Sequence, residues 1–348
     1  MNKIINEDMK YIYNYDLSLW EALRGKTVMI TGAYGMLPSY MVYMLIYLNE
    51  MDKGYNIRIN AFVRDEKKLR DRFGEYVDRP YFNFIIGDVS DKIEFDDNLD
   101  YIIHGASPAN SQFYNTNPAD VMKPNVLGTY NTLELAKKHN VSGYLLFSSG
   151  EIYGRLEKEE IFEDDGGYLN PADVRSCYGE GKRAAETMCK CWQHQYGIHT
   201  RIIRPCHTYG PGMDIINDNR VFSEFVSNIV NNKDIVIKST GLATRVFCYI
   251  ADATLGYFYV LLKGGDGEAY NVANKEGRCS IRELAKMLCD LYPEKMLSAV
   301  YEKHDKDYME NPHELHPVYN TDKLEGLGWR ARFSIEDGFK RTIESFMQ

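Results

Sequence analysis

Short apolar runs, separated by stretches of mixed polarity, fill the first two thirds of the chain. The runs that predict buried strands are residues 27–30, 57–63, 81–86, 101–104, 144–147 and 200–203. Helices are predicted between them over residues 36–47, 118–139 and 176–196. Because buried parallel strands are nearly continuous apolar runs that alternate with crossover helices, this pattern predicts an α/β fold with a doubly wound parallel sheet.

The alternation is lost after Arg204, where Pro205 and the segment 210–212 predict a loop. Shorter elements follow, namely a helix over 221–231, a strand over 235–238 and a helix over 280–291. We therefore divide the chain into an extension of residues 1–25 with a short helix at 17–23, a large domain of 26–204 to which 247–262 returns, and a smaller C-terminal α/β lobe of 205–238 and 267–348.

The turn after the first predicted strand is rich in glycine, with the sequence TGAYG from Thr31 to Gly35. Gly32 permits a tight turn and Gly35 allows close approach of a phosphate, so that free N–H groups at the helix start face a pyrophosphate. Pro38, which the first turn of a helix tolerates, stands where a third glycine is usual. The turn predicts a dinucleotide site in a Rossmann-type sheet, although by itself it is also compatible with a purely structural role.

The end of the second predicted strand bears on which dinucleotide binds. An acidic residue there binds the ribose 2′-hydroxyl of NAD, whereas an arginine suits the 2′-phosphate of NADP. Arg64 comes first and Asp65 follows it. The sequence leaves NAD and NADP open, and it also leaves open that both side chains are solvated.

Two motifs that follow the later predicted strands contain candidate catalytic residues. Tyr178 and Lys182 are four residues apart on a predicted helix and therefore share a face. A nearby ammonium, or the positive nicotinamide ring of an oxidised cofactor, lowers the pKa of a tyrosine, which can then take a proton from a sugar hydroxyl. Ser149 is predicted to hydrogen-bond the reacting oxygen, and Glu151 to act as a second acid or base. Each motif alone also fits an exposed helix pair or an ordinary polar loop.

Composition narrows the classes of partner. The chain has 348 residues, a net charge of −9 and no block of basic residues, so neither nucleic acid nor a membrane is expected to bind it. The first 26 residues contain no apolar segment typical of a signal peptide, and the longest apolar stretch, 36–48, is too short to span a bilayer. The seven cysteines are scattered without metal spacing, which favours a reducing cytoplasm and no metal site.

Taken together, the motifs resemble those of the extended short-chain dehydrogenase/reductase superfamily, which comprises nucleotide-sugar epimerases, dehydratases and decarboxylases. The resemblance covers the chain from residue 26 to about 343 and rests on the glycine turn, Asp88-Val89, HGAS at 104–107, SSGEIYG at 148–154, YGEGK at 178–182, TYGPG at 208–212, TRVFCYIAD at 244–252, YNVAN at 270–274 and LGW at 327–329. Within the superfamily, ASPAN at 106–110, GEIYG and RSCYGEGKR at 175–183 most resemble UDP-glucuronate decarboxylases.

The resemblance implies a set of site residues. Those with implied catalytic roles are Ser149, Glu151, Tyr178, Lys182 and Arg245. Those expected to contact the cofactor are Gly32, Tyr34, Gly35, Met36, Arg64, Asp88, Val89, Ala106, Ser107, Tyr178, Lys182 and Pro205. Those expected to contact the substrate are Pro108, Tyr114, Glu151, His207, Arg220, Val221 and Arg245. The resemblance further implies a tightly bound NAD or NADP, a UDP- or CDP-linked sugar as substrate, and a homodimer formed through helices 118–139 and 176–196.

Several residues depart from the pattern of these relatives. Gly150 stands where the decarboxylases carry serine and the 4,6-dehydratases carry aspartate, which argues against a 4,6-dehydratase. His207 stands where asparagine is usual, so that it either contacts the diphosphate or fills the loop. Pro38 and Arg64 depart from the NAD-type pattern.

The resemblance implies an enzyme that oxidises the sugar C4 with a recycled NAD(P), best matched to a UDP-glucuronate decarboxylase in which the resulting β-keto acid loses carbon dioxide. The alternatives are an NADPH-dependent reductase of a nucleotide-linked keto-sugar or ketose, which Arg64 motivates, and a nucleotide-sugar epimerase. A catalytically idle dinucleotide sensor is a further alternative, against which Ser149, Tyr178 and Lys182 argue.

Overall fold

The computed structural model describes residues 1–302 and 318–347. The helices are α1 (Lys3–Tyr15), α2 (Met36–Met51), α3 (Glu66–Phe73), α4 (Gln112–Thr116), α5 (Pro118–Lys123), α6 (Thr129–His139), α7 (Cys177–Tyr196), α8 (Val221–Val230), α9 (Ile250–Lys263), α10 (Ile281–Asp290), α11 (Asp322–Glu325) and α12 (Ile335–Glu344). The strands are β1 (Thr27–Thr31), β2 (Arg58–Val63), β3 (Phe82–Ile86), β4 (Tyr101–His104), β5 (Gly143–Phe147), β6 (Glu160–Ile161), β7 (Thr200–Pro205), β8 (His207–Tyr209), β9 (Ile235–Ile237), β10 (Thr244–Tyr249), β11 (Glu268–Val272), β12 (Arg278–Ser280), β13 (Ala299–Tyr301) and β14 (Val318–Tyr319).

Seven parallel strands form the central sheet, in the order β11-β7-β5-β4-β1-β2-β3. The order reverses at β1, which pairs with β2 on one side and with β4 on the other. Every residue of β1 is buried, because helices cover both faces of the sheet. The predicted doubly wound sheet is confirmed, and each of the six predicted strands lies in it.

The helix predicted over 118–139 is not continuous, and this expectation is corrected. It is divided into α5 and α6 by a π-helical turn at Pro124–Gly128. Proline has no backbone N–H to donate and its ring crowds the preceding turn, so an α-helical ladder is interrupted at Pro124. The interruption brings the buried Asn125 beside Gly181 of α7, where a side chain on the glycine would come within 3.2 Å of the asparagine Cβ.

The N-terminal extension contains a helix that was not predicted. Besides the expected short helix, which is a 3-10 helix at Leu17–Leu23, residues of α1 pack against α2 and α9. Ile5, Met9 and Ile12 recur at spacings of four and three, and all three are buried. The extension is thus part of the main hydrophobic core.

The C-terminal third contributes to both the large sheet and smaller ones. Helix α9 packs on the large sheet, β10 lies between β8 and β12, β13 pairs with β9, and β14 pairs with β6. Strand β11 is hydrogen-bonded to β7 in the large sheet, although the predicted lobe of 267–348 includes it, and that boundary is corrected. Residues 303–317 and 348 of the predicted lobe lie outside the described part. The division into domains otherwise stays a prediction.

Candidate active site

A cavity of about 530 Å³ lies at the carboxyl ends of β1, β2, β3 and β4. Most of the residues expected to contact a cofactor line it, namely Gly32, Tyr34, Gly35, Arg64, Asp88, Val89, Ala106 and Ser107. Pro108, which was expected to contact the substrate, lines it as well. This is the crevice outside a topological switch point, where ligands of open α/β sheets bind. Met36, the first residue of α2, and Pro205, the last residue of β7, do not line it.

The glycine turn forms a cradle that only small residues permit. Gly32 has a φ of +67°, and a Cβ there would lie 2.8 Å from the Cα of Ala106. A Cβ on Gly105 would lie 2.5 Å from Cγ of Pro38. The proline in place of the usual third glycine is therefore accommodated by a glycine on the neighbouring strand end, and the cradle fits the pyrophosphate of a dinucleotide.

The buried side chain of His104 takes part in the hydrogen bonds that hold this glycine turn in place. Nδ1 of His104 lies 2.8 Å from Oγ1 of Thr31, which accepts a hydrogen bond from the N–H of Ala106 at 3.2 Å. Burial lowers the pKa of His104 to about 3, with Lys182 contributing, while a hydrogen bond to the carbonyl of Pro124 opposes the shift. His104 is therefore neutral, with its proton on the nitrogen that faces this carbonyl. The sequence analysis noted HGAS but assigned the histidine no role.

The two residues at the end of β2 have different surroundings. Asp65 caps α3, because its carboxylate accepts a hydrogen bond from the N–H of Lys68 at 3.0 Å. Arg64 lines the cavity, and its guanidinium lies 3.8 Å from the carboxylate of Asp88. Of the two, Arg64 is the residue placed to meet an adenosine ribose.

Tyr178 and Ser149 are brought together at the start of α7. Tyr178 is buried, and the Ser149 hydroxyl lies close enough to affect its pKa. Burial raises the pKa of Tyr178 to about 12, while the Ser149 hydroxyl and the charge of Arg220 oppose the shift. The expectation that Lys182 lowers this pKa below its ordinary value is therefore wrong for the protein alone.

Lys182 lies one turn along the same helix face, and its surroundings explain why it does not lower that pKa. Its Nζ donates a hydrogen bond to the carbonyl of Phe147 at 2.6 Å and lies 5.7 Å from the centre of the Tyr178 ring. Burial lowers the pKa of Lys182 to about 7, and the charge of Glu186 opposes the shift. The carbonyl bond orients the amine beneath Tyr178 at the end of β5.

Tyr114 and Glu151 cover Tyr178 on its outer side. The rings of Tyr114 and Tyr178 are stacked, with centroids 4.8 Å apart and planes 11° apart. Arg175 lies 4.6 Å above the Tyr114 ring and 3.8 Å from the carboxylate of Glu151, which is half-exposed. The backbone N–H of Glu151 donates to Oγ of Ser149 at 3.2 Å.

The loop that carries Ser148 and Ser149 is hydrogen-bonded to a buried ion pair formed by Glu186 and Arg204. Glu186 accepts hydrogen bonds from Nε and Nη2 of Arg204 at 2.9 and 2.6 Å, and one from Oγ of Ser148 at 2.5 Å. Nη1 of Arg204 also donates to the hydroxyl of Tyr153 at 2.9 Å. No motif in the sequence indicated this network, because its members come from four separate elements.

The remaining predicted substrate contacts lie on the C-terminal side of the site. Arg220 precedes α8 and pairs with Asp218 at 2.5 Å, and Val221 is the first residue of α8. The ring of His207 packs edge-on against Phe222 and Phe247, with centroid distances of 6.3 and 6.0 Å, and its role, a diphosphate contact or filling of the loop, stays a prediction. Arg245 lies in β10, and its Nη1 donates to the carbonyl of Thr244 at 2.8 Å.

Comparisons with known proteins agree with this geometry. A profile of the NAD dependent epimerase/dehydratase family matches residues 28–273. UDP-glucuronic acid decarboxylase 5 of Arabidopsis thaliana is 33% identical over 319 residues, which cover 92% of this chain and 89% of the relative. UDP-glucuronic acid decarboxylase 1 of Danio rerio is 31% identical over 323 residues, or 92% of this chain and 72% of the relative.

A solved structure has the same fold at lower identity. The UDP-glucose 4-epimerase of Thermotoga maritima, solved with UDP-glucose, superposes with a TM-score of 0.74 at 20% identity, covering 92% of this chain and 98% of that one.

Within residues 1–302 and 318–347, no helix is long and apolar enough to cross a bilayer. The same residues include no group of three acidic, histidine or cysteine side chains arranged to hold a metal ion.

Proposed function

Because this chain belongs to the NAD dependent epimerase/dehydratase family and is an NAD(P)-dependent enzyme, we propose that it decarboxylates UDP-glucuronate after oxidation at the sugar C4. The observation that carries the proposal is the close approach of the Ser149 hydroxyl to the buried Tyr178, with Lys182 on the same helix face. A likeness to decarboxylases over 92% of the chain supports the choice of reaction.

In the proposed mechanism, Tyr178 takes the proton of the C4 hydroxyl while Ser149 hydrogen-bonds the reacting oxygen. The bound dinucleotide supplies the hydride acceptor, and its oxidised ring adds a positive charge that favours the phenolate. The C4 ketone makes the sugar carboxylate a β-keto acid, so carbon dioxide leaves and the ketone takes up the electron pair. Glu151 then delivers a proton to the ring carbon. The C4 ketone takes back the hydride together with the proton held by Tyr178, which restores the C4 hydroxyl and leaves no net change in the cofactor. Arg220 or Arg245 holds an anionic group of the substrate.

The test is mass spectrometry of the product formed from UDP-glucuronate, together with the near-ultraviolet absorbance of reduced nicotinamide. We expect a product lighter by one carbon dioxide and no net change in the cofactor. UDP-glucose, which lacks the carboxylate, is the control and should lose no mass. An unchanged mass would replace the proposal by epimerisation. A gain of two hydrogens with consumption of NADPH would replace it by reduction.

The choice between NAD and NADP is proposed to depend on Arg64. This guanidinium lines the cavity, while Asp65 is engaged in capping α3. We expect Arg64→Ala to weaken NADP binding by about tenfold or more and NAD binding by much less, since a hydrogen bond to a charged group contributes about 1.5–3 kcal/mol. Calorimetric titration with both dinucleotides measures this, and equal losses would remove the role. Lys67→Ala, on the neighbouring helix, is the control.

We also propose a homodimer formed through α6 and α7. Leu127, Tyr130 and Tyr196 are about half exposed, and Trp192 lies edge-on between the two tyrosines at 5.6 and 6.0 Å. An apolar surface of this kind is typical of an interface. We expect light scattering to give the mass of a dimer for the wild type and of a monomer for Tyr130→Glu. Met296→Glu, at an 88% exposed residue in the C-terminal part of the chain, should remain a dimer. A monomeric wild type at micromolar concentration would contradict the proposal.

We propose that the two predicted domains bind different ligands. Residues 26–204 with 247–262 would bind the dinucleotide, and 205–238 with 267–348, except β11, would bind a UDP- or CDP-linked sugar. A reducing cytoplasm is the proposed location, supported by seven cysteines that are all free thiols.

A further inference from the structure

Gly150 lies between Ser149 and Glu151, two residues with proposed roles in the reaction. A Cβ on Gly150 would lie 2.5 Å from the hydroxyl oxygen of Tyr319 and 3.0 Å from its Cζ. A side chain at residue 150 would require the Tyr319 hydroxyl to move. The phenol hydroxyl of Tyr319 therefore occupies the space that a side chain of residue 150 would fill.

Tyr319 is held at this position by the strand it belongs to. It is paired with Ile161, and the next residue, Asn320, donates its N–H to the carbonyl of Ile161 at 2.8 Å. The carbonyl of Asn320 in turn accepts from the buried Asn271 at 3.0 Å. The Tyr319 ring also lies 5.9 Å from that of Tyr153. Contacts on several sides thus fix the direction of the phenol.

The electrostatic surroundings of Tyr319 keep its hydroxyl protonated. Burial raises the pKa of Tyr319 well above its ordinary value of 10, and Cys206, Tyr153 and Glu151 add to the shift, while Arg245 opposes it. A protonated phenol donates a hydrogen bond, and carboxylates and hydroxyls accept one. Tyr319 is therefore a neutral donor within electrostatic reach of both Glu151 and Arg245.

We propose that Tyr319 is a specificity-determining residue, whose hydroxyl donates a hydrogen bond to the sugar of the substrate through the gap left by Gly150. This inference rests on the proposed function, because it places the sugar beside Ser149 and Glu151. The Tyr319 hydroxyl, which comes from a distant strand, thus lies beside the one residue between Ser149 and Glu151 that has no side chain.

Tyr319→Phe tests the inference, because it removes the hydroxyl and leaves the ring. We expect the affinity for UDP-glucuronate, measured by calorimetry with the holoenzyme, to fall about tenfold, as for a lost hydrogen bond. The affinity for UDP, which lacks the glucuronosyl group, should stay unchanged. An equal loss for UDP, or no loss for UDP-glucuronate, would overturn the inference.

A rescue experiment separates the hydroxyl from the packing of the ring. Tyr319→Leu makes room at residue 150, so the double variant Gly150→Ser/Tyr319→Leu should recover most of the lost affinity. Gly150→Ala/Tyr319→Leu is its matched control, since it fills the same space without a hydroxyl, and it should recover none. Equal affinities of the two double variants would overturn the inference, because the hydroxyl would then have no effect.

The two proposals fail in different ways. A wild type that does not bind UDP-glucuronate overturns the proposed substrate, and the titrations are then made with the nucleotide sugar that the mass-spectrometric test identifies. On that sugar, a smaller affinity of Tyr319→Phe supports the inference and an equal affinity overturns it. If the wild type binds no nucleotide sugar, both proposals are wrong.

Discussion

Replacing Tyr178 by phenylalanine is expected to lower the turnover of the nucleotide sugar by at least ~10²-fold, the contribution of a positioned acid or base. The buried phenol lies near the Ser149 hydroxyl and is stacked on Tyr114 at 4.8 Å, and phenylalanine preserves the stacking while removing the proton acceptor. Steady-state kinetics measure the loss, which should appear in kcat and leave dinucleotide binding nearly unchanged. Undiminished turnover would end the assignment of Tyr178 as the base.

Tyr114→Phe is the matched control for this variant. Its hydroxyl bonds the carbonyl of Ala109 at 3.3 Å, so its removal leaves the stacked ring and the reacting groups in place. We expect the turnover of this variant to fall only a few-fold. A loss as great as that of Tyr178→Phe would mean that the stacked pair, rather than a single hydroxyl, governs the reaction.

The sequence predicted the sheet well, for a physical reason. Strands β1, β4 and β5 are buried along their whole length and therefore form mainly apolar runs, and the glycine turn has a positive φ at Gly32 that few other residues adopt. Signals of this kind are local, and they are visible without knowledge of the fold. The predicted residues of the dinucleotide crevice accordingly line one cavity, apart from those on α2, β7 and α7.

What the sequence did not predict depends on contacts between distant segments. The pKa of Tyr178 is raised because of burial, which a spacing of four residues to Lys182 cannot reveal. The reason for a glycine at position 150 lies at Tyr319, on a strand near the other end of the chain. The buried pair of Glu186 and Arg204 likewise joins two elements whose motifs are unremarkable by themselves.

Replacing Asp8 by alanine is expected to lower the free energy of unfolding by about 3–5 kcal/mol, the usual effect of breaking a buried ion pair. The Asp8 carboxylate is fully buried and accepts hydrogen bonds from Arg341 at 2.8 Å, from Tyr249 at 2.7 Å and from Tyr40 at 3.1 Å. Alanine leaves these three donors without their acceptor. Chemical denaturation measures the loss.

Glu7→Ala is the control, because Glu7 pairs with the same Arg341 at 3.2 Å but is 43% exposed. An exposed pair contributes at most about 1 kcal/mol, so this variant should unfold almost as the wild type does. Asp8 links α1 to α2, β10 and α12 through its partners, and its loss should therefore loosen the attachment of the N-terminal extension. Equal effects of the two substitutions would contradict this role, because burial of the carboxylate would then make no difference to its contribution.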